Sequence, residues 1–137
     1  MAIPPLVSGL LPPGIYNASL TEVWATFDQA ASLTRPALSH ALEHAVALIW
    51  SRDPVAAIYV NGSYVTDKID PVDVDLAVRS DVWDDTLFSV EFSQSYPGEE
   101  LLVDFFFNTT QSSQHMEDLF QEVQGSSIHK GIILLLP

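Results

Sequence analysis

A Gly-Ser pair and three aspartates stand out from the apolar centre of this chain. Residues 55–60 form a short apolar run that stops at Asn61 and Gly62, which predicts a strand delivering the chain to a turn. A glycine there lets the backbone approach a ligand and present its N–H groups, and with Ser63 beside it the turn suits phosphate oxygens. Further on, Asp73 and Asp75 flank Val74. On a strand, a period of two puts both carboxylates on one face. Like charges this close repel, and a bound hard cation such as Mg²⁺ is a common reason to tolerate them. Asp104 interrupts the most apolar run, residues 101–107. A lone charge there needs a partner, and a neighbouring strand carrying Asp73 and Asp75 would supply one through a shared metal.

Positioning these groups requires a sheet, and the pattern provides one. Four of the nine prolines fall within residues 1–18, which read as an extended Pro-rich arm. Ser19 and Glu22 match a capping box, and Val23, Trp24, Phe27, Ala30 and Ala31 predict a helix to about residue 33. Pro36 suits the first turn of a second helix, with Leu38, Leu42, Ala45, Val46 and Ile49 as its buried stripe to about residue 51. Strands are expected at 55–60, 72–78, 101–107 and 131–136, and a helix at 113–123. Residues 81–92 fit a helix or a strand equally well. Together, residues 81–97, with Trp83, Asp84, Asp85 and Tyr96, could close over the site or form an interface. The order describes one α+β domain over residues 1–137, with a single mixed sheet and helices packed on it.

Composition narrows the partners. The 137 residues carry 18 Asp and Glu against 5 Lys and Arg, a formal net charge of −13. The basic residues, Arg35, Arg52, Lys68, Arg79 and Lys130, are scattered, so long nucleic acid and anionic membrane surfaces are disfavoured. Cysteine is absent, which removes disulfides and thiolate chemistry. No apolar run approaches the roughly 18 residues that span a bilayer. The N-terminal stretch lacks the charged start of a signal peptide, so a cytoplasmic setting is expected. Sequons at Asn17, Asn61 and Asn108 are the features that would suit a secreted glycoprotein.

The pattern of a hydrophobic residue, Gly62, Ser63, a nine-residue spacer, then Asp73, Val74, Asp75 and Leu76 resembles the signature of the DNA-polymerase-beta-like nucleotidyltransferases, whose third carboxylate lies on a later strand. The whole chain also looks like a small bacterial group within that superfamily, on Leu11 to Tyr16, residues 62–68 with 71–75, and residues 130–133. The resemblance implies a polymerase-beta-like fold in which Gly62 and Ser63 hold nucleotide phosphates. It implies that Asp73, Asp75 and Asp104 hold Mg²⁺ or Mn²⁺, with Asp104 orienting or deprotonating the attacking hydroxyl. Lys68 is a candidate counter-charge for the triphosphate. The implied activity moves a nucleoside monophosphate from a nucleoside triphosphate to a protein or small-molecule hydroxyl. Small members of the superfamily serve in toxin–antitoxin pairs. The additional helical domains of larger members have no counterpart here, which leaves acceptor recognition to the N-terminal helices, a second copy of the chain or a protein partner.

Other readings stay open. The same fold could bind a nucleotide, or neutralise a basic protein partner, without turnover. A purely structural reading makes Asn61 and Gly62 a hairpin turn, Asp73 and Asp75 a solvent face, and Asp104 an edge residue. His40 and His44, four apart with Glu43 between, read as a solvated helix face rather than a metal site. Trp24, Trp50 and Phe27 read as core, and His115, His129 and Lys130 as surface or pocket residues. No nucleophile elbow accompanies the Ser, His and Asp residues.

Overall fold

Ser19 closes one element and opens the next. In this computed structural model, which describes residues 3–29, 31–110 and 131–137, strand β1 (Ile15–Ser19) runs directly into helix α1 (Leu20–Phe27). The Glu22 N–H donates to Ser19 Oγ at 3.2 Å, and the Ser19 N–H donates to Glu22 Oε1 at 3.1 Å. This is the expected capping box. The Pro-rich arm therefore ends as a strand. Helix α1 stops at Phe27, short of the expected residue 33, and the hydrogen bonding shows why. A continuing helix would offer the Phe27 carbonyl to the N–H of residue 31, but that carbonyl accepts from Arg35 Nη1 at 2.9 Å.

Helix α2 (Arg35–Arg52) carries Pro36 in its first turn and buries Leu38, Leu42, Ala45, Val46 and Ile49, the predicted stripe, together with Arg35. Its last turn is closed by the Asp53 N–H and by Trp83 Nε1, which both donate to the Ile49 carbonyl at 3.0 Å. The chain then forms β2 (Ala57–Asn61), β3 (Val74–Arg79), helix α3 (Asp85–Ser95), β4 (Val103–Asn108) and β5 (Ile132–Leu136). The ambiguous segment is a helix because Asp84 caps it, accepting from the Leu87 N–H at 2.8 Å, and because Phe88 and Phe92, four apart, are both fully buried. Phe88 packs 4.9 Å from Phe107, ring centre to ring centre, and edge-on to Phe105 and Trp83.

The five strands form one mixed sheet in the order β1-β5-β2-β3-β4. Strand β5 runs parallel to β1 and antiparallel to β2, β2 is antiparallel to β3, and β3 is parallel to β4. This is the α+β architecture with a single mixed sheet that the patterning predicts. Ile58, Val60, Leu76, Val78, Val103 and Phe107 belong to the main core with the helices, while Tyr59, Ala77 and Ile132 form a second buried group. By the strand period, Asp75 shares the face of Ala77, and Asn61 that of Tyr59. Helix α3, through Phe88, therefore packs on the face away from Asp75, so it does not close over the carboxylates.

The two ends of the chain meet. The Gly131 N–H donates to the Leu11 carbonyl and the Ile132 N–H to that of Gly14, both at 3.0 Å, and Tyr16 Oη donates to the Pro12 carbonyl at 2.8 Å. No helix among the described residues is long and apolar enough to cross a membrane. Asn61 is 4% exposed, which bars a glycan there in the folded chain. The helix expected at 113–123, and His115, His129 and Lys130, lie outside the described residues.

Candidate metal centre

Register brings the three aspartates together. In the parallel pairing of β3 and β4, Asp75 stands directly opposite Asp104, and the Val74 N–H is tied to the Leu102 carbonyl at 2.9 Å, which anchors the start of β3. Asp73 immediately precedes that strand. Each of the three offers a carboxylate oxygen, and these oxygens all lie within 4.8 Å of one another. Among the described residues this is the one group of three or more such side chains close enough to share a cation. Three hard oxygen donors suit Mg²⁺ or Mn²⁺ better than a softer metal.

Asp104 comes to the cluster on a strand beside the one that carries Asp75, as expected. It is exposed, on the outer strand of the sheet, and so is not a charge enclosed among phenylalanines. Alternation turns its neighbours Phe105 and Phe107 toward the helices while Asp104 faces the other way. Pairing opposite Asp75, rather than burial, makes it a partner. Its position on an edge strand is as the purely structural reading has it, but Asn61 and Gly62 are not a two-residue hairpin. Asn61 pairs with Asp75 across a long connection.

Gly62 begins that connection. Its φ of 83° and ψ of −169° lie in a region that is essentially glycine's alone. A Cβ placed there would collide with the Asp75 carboxylate, reaching its Cγ at 2.7 Å. The turn and the carboxylate are thus in direct apposition, with no room for a larger residue. Ser63 opens a short 3₁₀ turn, Ser63–Val65, and its carbonyl accepts from Thr66 Oγ1 at 2.6 Å. Lys68 is exposed on the same loop, with its N–H donating to Thr66 Oγ1 at 3.2 Å.

The loop is held from behind by a residue that sequence reasoning passed over. Arg35 is 1% exposed and donates to the carbonyls of Tyr64 at 2.7 Å, Thr66 at 2.8 Å and Lys68 at 2.7 Å, besides that of Phe27. Its guanidinium lies 5.3 Å from the centre of the Tyr64 ring, and Tyr64 Oη shares a 2.7 Å hydrogen bond with Ser39. Nothing in the spacing marks Arg35, because its acceptors are backbone groups, at Phe27 and in a loop about thirty residues away, carried by no particular side chain.

Asp70 pins the far end of the loop to the start of α2. Its carboxyl is held below the usual carboxylate range first by the Leu33 N–H at 2.7 Å and also by Ser32 Oγ at 3.2 Å. A depressed carboxyl stabilises the fold above its ordinary pKa, and that contribution disappears as pH falls through the folded-state value. Asp70→Asn is therefore expected to be less stable than the natural chain at pH 7, with the difference shrinking below about pH 4; urea unfolding at pH 7 and pH 3 measures it.

The other candidates do not join the site. His44 Nδ1 is 2.7 Å from Glu99 Oε1 and the ring stacks on Tyr96. His40 instead lines a cleft of about 450 Å³ between α1 and α2 with Thr21, Trp24, Asp28, Pro36 and Ser39. The histidines thus share no ligand position. Phe27 is buried as expected, whereas Trp24 borders this cleft and is only half-buried, a correction to its reading as core.

A family model matches residues 5–136, which takes in every strand and all three aspartates. The chain belongs to this family, DUF6932, a family of unknown function. No curated protein and no solved structure matches it.

Proposed function

We propose that this DUF6932 member is a metal-dependent nucleotidyltransferase, moving a nucleoside monophosphate from a nucleoside triphosphate to a hydroxyl on a protein or small molecule. The observation that carries the reading is the convergence of Asp73, Asp75 and Asp104 at one end of one sheet face, in contact range of a glycine turn with no room for a side chain. A divalent cation there would offset the carboxylate repulsion and stabilise charge on the phosphate oxygens. The Gly62 and Ser63 turn would seat those oxygens, with Lys68 as a counter-charge. An acceptor hydroxyl oxygen would bond to the α-phosphorus as pyrophosphate leaves, with Asp104, the exposed carboxylate, placed to orient it or take its proton.

The acidic surface favours a small-molecule or protein acceptor over a long polynucleotide. The resemblance adds a setting: one half of a toxin–antitoxin pair. The excess of 18 acidic over 5 basic residues also favours a second reading, a non-catalytic module that binds a basic partner.

Thermal-shift titration with ATP, GTP, CTP and UTP, with and without Mg²⁺ or Mn²⁺, separates the two. A ligand at 100 times its Kd stabilises by about 2.7 kcal/mol, several degrees for a domain of this size. A metal-dependent shift in the natural chain, lost in Asp73→Asn/Asp75→Asn, is the expected result. A folded protein that shifts with no triphosphate at millimolar concentration would overturn the enzyme reading in favour of the module.

A further inference from the structure

Arg35 is the most deeply buried charge among the described residues and none of the steps above uses it. Its side chain makes six hydrogen bonds, all to backbone carbonyls: those of Phe27, Tyr64 and Thr66, that of Lys68 twice, and a long one of 3.5 Å to Ser63. Carbonyl dipoles solvate a guanidinium without cancelling its charge. Among the described residues no carboxylate is within ion-pairing distance of it. Asp28, Asp67 and Asp70 act on it through space, but all three are exposed, where solvent screens them.

Two consequences follow for residues 62–68. In a planar trans peptide the C=O and the next N–H point in opposite directions, so drawing the carbonyls of Ser63, Tyr64, Thr66 and Lys68 to one point turns the amides that follow them away from it; those of Val65 and Asp67 donate to the carbonyls of Gly62 and Gly9 at 3.2 Å, and that of Tyr64 lies directly after the Gly62 and Ser63 turn. The loop also gains a fixed positive charge behind it, in a chain whose net charge is −13. We infer that Arg35 is a positioning residue that shapes the turn after Gly62 and leaves its outer side favourable to a phosphoryl anion. This rests on the proposed nucleotide site, of which it names the phosphate-facing half.

The test uses inorganic tripolyphosphate with saturating Mg²⁺, followed by calorimetry at several salt concentrations, and Mn²⁺ alone, followed by electron paramagnetic resonance. Arg35→Lys keeps the charge and loses donors; Arg35→Gln loses the charge. Tripolyphosphate affinity is expected to fall about threefold in Arg35→Lys and more than about tenfold in Arg35→Gln, with a flatter salt dependence in Arg35→Gln alone and Mn²⁺ affinity little changed in both. Equal losses in the two variants, or none, would overturn the inference. If the natural chain binds Mn²⁺ but not tripolyphosphate, the inference fails and the metal centre stands. If tripolyphosphate binds in an Arg35-dependent way but no nucleotide does, the anion site stands and nucleotidyl transfer fails. Should neither variant fold, the guanidinium ¹⁵N resonances of Arg35 in the natural chain are expected to move on adding tripolyphosphate, and their failure to move would overturn the inference.

Discussion

Asp73→Asn is expected to raise the melting temperature of the metal-free protein and to abolish its response to Mg²⁺ or Mn²⁺. Both effects come from one distance, the 4.8 Å within which the oxygens of Asp73, Asp75 and Asp104 all lie. Two unit charges so placed repel by about 3 kcal/mol at an effective dielectric near 20, and screening at a partly exposed site reduces this to about 0.5–1 kcal/mol. Removing one charge releases that repulsion. It also removes one of three cation ligands, so metal affinity should fall by about two orders of magnitude, and any nucleotidyl transfer with it. Thermal melts of both proteins with and without metal read the two effects together. A variant that melts lower without metal and still responds to Mn²⁺ would show that the aspartates are a solvated surface.

Gly62→Ala should damage the fold and the site at once. The backbone conformation at this position costs an L-residue about 1–3 kcal/mol, and the added Cβ would drive into the Asp75 carboxylate. Relieving that contact means turning the Asp75 carboxylate, and with it the oxygen that lies within 4.8 Å of those of Asp73 and Asp104. The expected result is a loss of about 2–4 kcal/mol in urea unfolding and at least a tenfold weakening of Mn²⁺ binding. Gly98 provides the control. Its φ is also positive, at 89°, but a Cβ there meets nothing within 4 Å, so Gly98→Ala should show a smaller strain and leave metal binding intact. Equal Mn²⁺ affinity in Gly62→Ala and the natural chain would mean that Asp75 is not a ligand.

Which parts of this were legible in advance depends on how local their causes are. The capping box at Ser19, the stripe of α2 and the strand at Asp75 are written in spacings of two, three and four residues, and each appears where expected. The end of α1 was not legible, because it is decided by Arg35 reaching back to the Phe27 carbonyl, a contact between a side chain and a backbone group that carries no sequence mark. Residues 81–92 were ambiguous because Phe88 and Phe92 fit a helical period while the surrounding residues do not discriminate. Type and spacing mark the three aspartates, and the expected neighbouring strand is there, but the apolar run around Asp104 does not reveal that its carboxylate is exposed. Strand order, which places β4 beside β3, brings it to Asp75, and strand order is not a local property.

Strand β5 is the last of the described strands along the chain and sits second in the sheet, between β1 and β2. During synthesis, β2, β3 and β4 can pair as they emerge, since each lies next to its successor, and the carboxylate end of the sheet is complete once β4 is out. Among the described residues, β1 pairs with β5 alone, so it has no strand neighbour until Ile132 arrives to pair with Ile15. A nascent chain would thus bring the three aspartates together while two of the five strands, β1 and β5, are still unpaired, and, if the cluster holds Mg²⁺ as proposed, binding at that stage would favour the partly built domain over its unfolded alternatives. On that reading the ion would serve the maturation of the protein before it serves any reaction.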